Sequence, residues 1–519
     1  MSKHTKGVQD PAGTDTTPAA VEAQARGANP VLIIATLCFG GLVASLMQTL
    51  VVPLQPELPG LLDTSRTNAS WVITATLLAA AVAMPIAGRL ADMFGKKRVL
   101  LVSAALLVLG SVICAVGSSL VPMVVGRAVQ GLAMGFIPVA ISLMREVTPP
   151  RLTSIAVATM SATMGVGGAI GLPMAAAIYE SGNWHVLFWV SAALAAITLV
   201  LTFFVVPSVH DAVGGRLDWG GAIGLATGLV LLLTAITKGN DWGWSSVTTL
   251  GMLAAGLIVF AAWGRYELGH RDPLIDLRTG ARPAVLFCNI AGVAIGFGMM
   301  AQSIVVPLLL ESPKSTGYGL GQTILQAGLW MAPGGVMMLV FAPVSATLIN
   351  RIGPKYTLML GATVLGFGYL FAAFMMGSAW QLMIASMICA AGVGIGYAAM
   401  PTLILGNVPM SEAGAAVGFN SLMRSVGTTS ASAVMALVLT SSTIDVDGIS
   451  FPADSTFTWC FLIGAIAAFV GVAIAMLVPG AQPDRLPVDG VPEPGDIQPA
   501  DTPLTDTQLT DTRPTAAGT

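Results

Sequence analysis

The sequence predicts an all-α polytopic membrane protein: fourteen transmembrane helices in two six-helix bundles, with two extra helices between them. Three observations carry this reading. The 519 residues are 55% apolar with a mean hydropathy of +0.81, and only 9% are charged, where soluble domains carry roughly 25%. The apolar residues gather into long runs separated by short polar segments. The basic residues fall almost entirely into every second segment. With 23 Lys and Arg and 26 Asp and Glu, the chain cannot coat the several domains a soluble protein of this length forms.

The runs lie at 31–54, 69–91, 99–119, 121–144, 154–179, 184–207, 218–237, 246–264, 284–310, 322–349, 356–377, 380–406, 414–440 and 457–478. Each is close to or above the roughly 20 residues one bilayer crossing needs. An even count puts both termini on one side, and the positive-inside rule chooses that side. Only Arg66, Lys238 and Lys314 fall in outside segments, and Arg127 and Arg424 fall inside runs; the other 18 of the 23 basic residues lie in inside loops or tails. Both termini are therefore expected in the cytoplasm, with the chain in the cell membrane.

The inside loop at 265–283 is the longest and most charged. The glycine-rich fifth run (Gly165, Gly167, Gly168, Gly171) has a counterpart in the thirteenth (Gly414, Gly418, Gly427), and the loop after run two, GRLADMFGKKRVL, has a weaker echo after run ten, NRIGPKYTL. Two related halves follow. The expected organisation is a tail at 1–30, a six-helix bundle at 31–207, a two-helix insert with its loop at 208–283, a second six-helix bundle at 284–478 and a tail at 479–519. Both tails are polar, the second rich in Pro, Asp and Thr, and read as disordered. Residues 1–30 lack the basic-then-apolar pattern of a signal peptide. Paired halves of this kind imply alternating access to a site between them.

Several function classes are disfavoured. A net charge of −3 provides no basic field for nucleic acid. The five Cys are scattered through apolar runs without a CxxC pair, and the four His form no HExxH, so neither a disulfide framework nor a metal site is expected. No nucleophile–base constellation marks an enzyme, and no cofactor is implied. Gly392, Gly394 and Gly396 sit mid-run without a preceding strand and read as helix packing.

The sharpest motif is Gly88-Arg-Leu-Ala-Asp92-Met-Phe-Gly95-Lys96-Lys97-Arg98 between runs two and three. Two glycines permit a tight turn, and Asp92 is suited to capping a helix N-terminus and pairing with a nearby cation. This cluster is the expected conformational latch between the halves. The spacing is too long for a phosphate-binding GxxxxGK[ST] loop. The segment resembles the GxLaDrxGrkxxl signature of the major facilitator superfamily. Arg127-Ala-Val-Gln130-Gly131 resembles its RxxqG motif, and Trp71-Val-Ile-Thr-Ala75 is similar to the WVxTAY pattern of its drug:proton antiporters. The resemblance covers residues 31–478 and is to the fourteen-helix drug:proton antiporter family. It implies proton-coupled efflux of lipophilic small molecules, with Arg127 in the coupling machinery. Two departures stand out: Met47 replaces the Asp of the family's LDxTIVNVALP segment, and the family's GPxxGG reads Gly171-Leu172-Pro173-Met174-Ala175-Ala176.

A charge at mid-bilayer costs roughly 2.5–3.5 kcal/mol on insertion scales and so needs a reason. Arg127 lies three residues before Gln130 and Arg424 four after Asn420, spacings that place each pair on one helix face. The acids all fall in tails, loops or run ends. Glu57 and Glu311, at equivalent outer ends of runs one and nine, join Arg127 and Arg424 as candidates for proton coupling. Met47, Gln48, Thr49, Gln130, Asn289, Gln302, Gln326, Trp330 and Asn420 are candidates for the substrate cavity, since adaptable walls with few polar anchors suit varied ligands. Gly165, Gly167, Gly171 and Pro173 are expected in helix packing. Two buried Arg without a buried acid favour neutral, zwitterionic or anionic compounds over permanent cations. The expected partners are a lipophilic small molecule, protons and the bilayer, with the chain monomeric. A facilitator or importer of one metabolite, and a non-transporting sensor or scaffold, are the competing readings.

Overall fold

In the lipid core each backbone N–H and C=O needs a partner within its own segment, and an apolar run meets that demand as a helix. A computed structural model of the chain describes residues 29–51, 54–55, 57–180, 183–208, 217–270, 273–446 and 449–479. Both expected tails lie outside these residues apart from 29–30 and 479. The described helices all belong to one compact unit, Met1–Pro479. Among the described residues, thirteen helices are long and apolar enough to cross a membrane. They are α1 (Pro30–Thr49), α2 (Trp71–Phe94), α3 (Lys96–Val116), α4 (Leu120–Val147, including a 3-10 turn at Ala133–Gly135), α5 (Pro150–Glu180), α6 (His185–Val205), α7 (Trp219–Trp242), α8 (Val247–Gly269), α9 (Pro283–Glu311), α10 (Ile324–Phe374), α11 (Ala379–Leu405), α12 (Ala413–Ser441) and α13 (Asp454–Met476).

Helix α10 has 51 residues. Straight, it would measure about 77 Å at 1.5 Å per residue, more than twice the roughly 30 Å hydrocarbon core. It is not straight: Gly353 has non-helical φ 84° and ψ 161° and divides it into arms at 324–352 and 354–374. These arms coincide with the expected runs 322–349 and 356–377. Gly95, at φ 95°, makes the corresponding break between α2 and α3. Positive φ is a conformation glycine adopts without the Cβ penalty. The echo between the two loops extends to Lys97 and Lys355, each two residues past its glycine. Lys97 Nζ donates to the carbonyl of Phe203, near the end of α6, at 2.9 Å, and Lys355 Nζ to that of Met476, the last residue of α13, also at 2.9 Å. Each ammonium thus meets the negative end of a helix dipole.

Three apolar clusters form the interior. One joins residues from Ile33 to Val206 and takes in Leu405, Ala413 and Val417. A second joins residues from Ala284 to Val478 and takes in Ala158 and Ala162. The third sets Ala222, Leu225 and Leu229 of α7 and Trp263 of α8 against Leu78 and Ala81 of α2 and Leu422 of α12. The insert therefore packs on α2 and α12, one of the helix pairs through which the bundles meet. All five Cys are free and buried. Gly392 packs against the backbone of Gly361 and Leu365, in keeping with a packing role.

Three local features differ from expectation. A two-stranded antiparallel hairpin, β1 (Thr443–Val446) with β2 (Ile449–Pro452), links α12 to α13 where the sequence suggested only a loop. Lys238, expected in an outside loop, lies within α7, buried at 1% exposure. It hydrogen-bonds Ser70, pairs with Asp241 at 3.2 Å, and sits 5.1 Å from the Trp71 ring centroid. Helix α8 continues five residues past position 264 to Gly269 and carries Glu267 into a buried position.

Candidate functional site

The Gly88–Arg98 segment places a charged side chain of one bundle on a helix terminus of the other. Asp92, on the last turn of α2, is 3% exposed. Its carboxylate accepts the backbone N–H of Gly414 at 3.0 Å and of Ala415 at 2.9 Å. These amides belong to the first turn of α12, where N–H groups have no intrahelical acceptor. Asp92 therefore caps α12 from another helix and places a negative charge at the positive end of its dipole. Lys96 Nζ lies 3.8 Å from Asp92 and also pairs with Glu146 of α4. A buried acid–base–acid row results: Asp92, Lys96, Glu146.

The two glycines divide their roles differently from expectation. Gly95 makes the turn. Gly88 is inside α2, and a Cβ there would run into the carbonyl of Gly414. It permits the close approach that lets Asp92 reach its amides. Lys97 bonds the end of α6, and Arg98 is exposed.

Arg127, on α4, is 1% exposed and spends its donors on backbone and amide groups. Nη1 donates to Met47 O at 2.7 Å and to Gln130 Oε1 at 2.9 Å, and Nε to Val72 O at 3.3 Å. Gln130 passes the chain on to Ser111 at 2.9 Å. Among the described residues no acid pairs with Arg127. It ties α1, α2 and α4 together through their carbonyls. The position of the family's Asp is Met47, whose side chain is buried and whose carbonyl serves Arg127 instead.

Arg424, on α12, is 3% exposed and meets Asn420 and, at 2.9 Å, Ser421. Its guanidinium lies 4.4 Å from the Tyr397 ring centroid. Arginine only donates, so Asn420 presents its oxygen to Arg424 and its amide to Asn289 Oδ1, at 2.9 Å. That order leaves two buried donors without acceptors, Arg424 Nε and Asn289 Nδ2. Among the described residues no acid pairs with Arg424 either. The cluster is a buried positive charge with surplus donors.

The remaining candidates are dispersed. Gln48, Gln302 and Trp330 are half-buried. Thr49 donates to Leu46 O at 3.1 Å and Gly167 O at 3.3 Å, so it fastens α1 to α5. Gln326 is exposed and closes a capping box with Thr323 at the start of α10, and Trp330 Nε1 donates to Gln322 at 3.1 Å. Glu57 and Glu311 are both exposed, at the ends of their segments, and neither meets Arg127 or Arg424. The packing residues split by direction: Gly167 and Gly171 face Ser45 and Thr49 of α1, whereas Gly165 faces Met338 and Pro173 faces Gly328, both of α10.

Sequence reasoning missed a second junction. Asn350, three residues before Gly353 as Asp92 is three before Gly95, accepts the hydroxyl of Ser154 on α5 at 2.9 Å. The repeat could have revealed it, since Asn350 occupies the place of Asp92 in the echoed motif. Also missed were Glu146 as partner of Lys96 and Tyr397 as neighbour of Arg424.

The family model described as Major Facilitator Superfamily matches residues 37–263 and 286–513. The chain belongs to the major facilitator superfamily. Among its relatives is the uncharacterized MFS-type transporter YhcA of Bacillus subtilis (strain 168), 25% identical over 65% of this chain and 62% of that protein. The chain thus spans under two thirds of that relative's length. The tetracenomycin C resistance and export protein of Streptomyces glaucescens is 26% identical over 84% of this chain and 80% of its own. In fold the chain is similar to the crystal structure of the human organic anion transporter MFSD10 (TETRAN), with a TM-score of 0.61 at 15% identity, covering 86% of this chain and 99% of that one. This superfamily member is thus a multi-pass membrane protein.

Proposed function

We propose that this superfamily member exports lipophilic small molecules from the cytoplasm in exchange for protons, by alternating access between bundles 31–207 and 284–478. The observation that carries the reading is the Asp92 cap on α12. A bond from one bundle to a helix terminus of the other can form in only one of two relative orientations of the bundles. With both termini in the cytoplasm, as the basic residues indicate, this junction and Ser154–Asn350 close the cytoplasmic side, and their rupture opens it.

The name of the Streptomyces glaucescens relative, a resistance and export protein, supports the direction. The surplus donors at Arg424 and Asn289 support a substrate with an acceptor or anionic group, and the protein works as a monomer in the cell membrane. A proton crossing 100 mV supplies about 2.3 kcal/mol, sufficient to bias the cycle outward. The test is flux in reconstituted vesicles with an imposed pH gradient. Export that collapses when the gradient is dissipated, and that Asp92→Asn abolishes without loss of protein, supports the reading. Flux indifferent to the gradient contradicts proton coupling.

A further inference from the structure

At the junction of the two inserted helices lies a pair of acids that the gate and the Arg networks do not use. Asp218 caps α7, and Glu267 stands on the last turn of α8. They are 6% and 3% exposed. Each spends one oxygen. Asp218 Oδ1 accepts Gly221 N–H and the Tyr266 hydroxyl, both at 2.9 Å, and Glu267 Oε2 accepts Leu274 N–H at 3.1 Å. The other oxygens, Asp218 Oδ2 and Glu267 Oε1, are buried without a hydrogen-bond partner. They converge: a Cβ on Gly221 would run into Asp218 Oδ2 on one side and Glu267 Oε1, at 2.5 Å, on the other. The Trp263 indole N–H, 7% exposed and also without a bonded acceptor, faces Glu267.

Among the described residues no cation forms an ion pair with either acid. Near it on α8 are Tyr266 and His270, which stacks on the Tyr266 ring at 5.1 Å. The following segment contributes Asp276, bonded to its own turn, and Arg278, whose guanidinium binds Leu268 O at 3.1 Å. Arg89 of α2 and Glu412, just before α12, line the adjoining cavity of about 110 Å³ with Leu274 and Ile275. None of these forms an ion pair with Asp218 or Glu267 among the described residues. Buried carboxylates whose free oxygens converge repel one another when both carry charge, and a proton held between them relieves that cost.

We propose that Asp218 and Glu267 form a proton-binding site, with one proton shared between Oδ2 and Oε1. The site has a structural consequence. Glu267 holds Leu274 by its other oxygen, and Leu274 and Ile275, 1% and 4% exposed, insert into the apolar cluster containing Leu78, Ala81 and Leu422. The proton keeps this segment seated across α2 and α12, the two helices joined by Asp92. Removing it leaves two unpaired buried charges beneath the segment and loosens it.

The test uses the full-length protein in lipid nanodiscs, with no transport readout, so it fails or succeeds apart from the export reading. Melting temperature is followed as pH is raised from about 6 to about 9. A proton bound in the folded state and released on unfolding makes stability fall with pH. The wild type is expected to lose melting temperature more steeply than Glu267→Gln, whose amide replaces the shared proton with its own N–H; Asp218→Asn should flatten the curve equally. Identical slopes in all three proteins overturn the proposal, and so does a wild-type slope that added sodium or potassium removes, which would assign the site to a metal cation. Should the variants fail to fold, infrared difference spectra of the wild type over the same range still decide. Loss of a protonated-carboxyl band on raising pH supports the site, and a spectrum without one overturns it.

Discussion

Two junctions join the bundles at their basic end, and they are built from the same place in a repeated motif. In the first, Asp92 stands three residues before Gly95 and binds two backbone amides of α12 while buried beside Lys96 and Glu146. In the second, Asn350 stands three residues before Gly353 and meets a single hydroxyl, Ser154, at an exposed site. The first has charge, burial and a helix dipole; the second has none of these. Charge-assisted hydrogen bonds contribute roughly 1.5–3 kcal/mol each, neutral ones about 1. The halves thus share a backbone plan, but the stronger contact is at one junction. In the alternating-access cycle proposed above the closed state must be stable yet breakable, and a single strong contact beside a weak one gives a defined breaking point.

The largest expected effect comes from removing the charge of the first junction. Asp92→Asn leaves the side-chain shape but loses the charge, the dipole interaction and one of the two bonds outright, since its NH2 group cannot accept a backbone N–H. Flux in vesicles should fall at least about tenfold, equivalent to about 1.4 kcal/mol, at unchanged protein level. The same substitution class on the other side, Ser154→Ala, should change flux by less than about twofold, consistent with one exposed neutral bond. Equal effects at the two junctions would refute the asymmetry.

Next in size is Glu146→Gln. It leaves Lys96 with only the more distant Asp92, and breaking a buried ion pair costs roughly 3–5 kcal/mol when the remaining charge has no partner. Because Asp92 remains, the loss should be smaller than that, visible as a melting temperature several degrees lower. A conversion sharpens the comparison in the other direction. Asn350→Asp introduces charge at the weak junction, near the start of α5, and should hold the basic end closed for longer, lowering turnover modestly with little change in stability. Smaller still is the effect at Arg424. Arg424→Met should weaken transport of an anionic fluorescent substrate about five- to tenfold relative to a neutral one of similar size, the magnitude of one hydrogen bond of about 1 kcal/mol. Equal losses for both substrates would show that Arg424 is structural.

Much of this was legible in the residues, for a simple reason. Lipid forces each apolar run into a helix, so run positions and helix positions nearly agree, and the spacings of Arg127 to Gln130 and Arg424 to Asn420 translate directly into side-chain contacts. Asp92 was recognisable as a cap because its type and its neighbours suit no other role as well. What was not legible depends on partners distant in sequence. Nothing local marks α12, over three hundred residues away, as the helix that Asp92 caps. Glu267 reads as a loop residue because the apolar run ends before it, while the helix continues and buries it. Arg127 reads as a coupling charge beside Gln130, and that spacing does not reveal the carbonyls of Met47 and Val72, on two other helices, that also hold it. Lys238 is misplaced for the same reason as Glu267: burial by a neighbouring helix, here near Ser70 and Trp71, cannot be seen in a window of hydropathy.

In the proposed cycle the Asp92 cap closes the basic end of the molecule and its rupture opens it. Spin labels at Phe94→Cys on α2 and Ile352→Cys on α10, both exposed positions in a chain whose native cysteines are all buried, report the separation of the bundles there by pulsed electron resonance. A short distance in the otherwise unaltered protein, with a shift of population to a longer one in Asp92→Asn, is the predicted result. An identical distance distribution in the two proteins contradicts it.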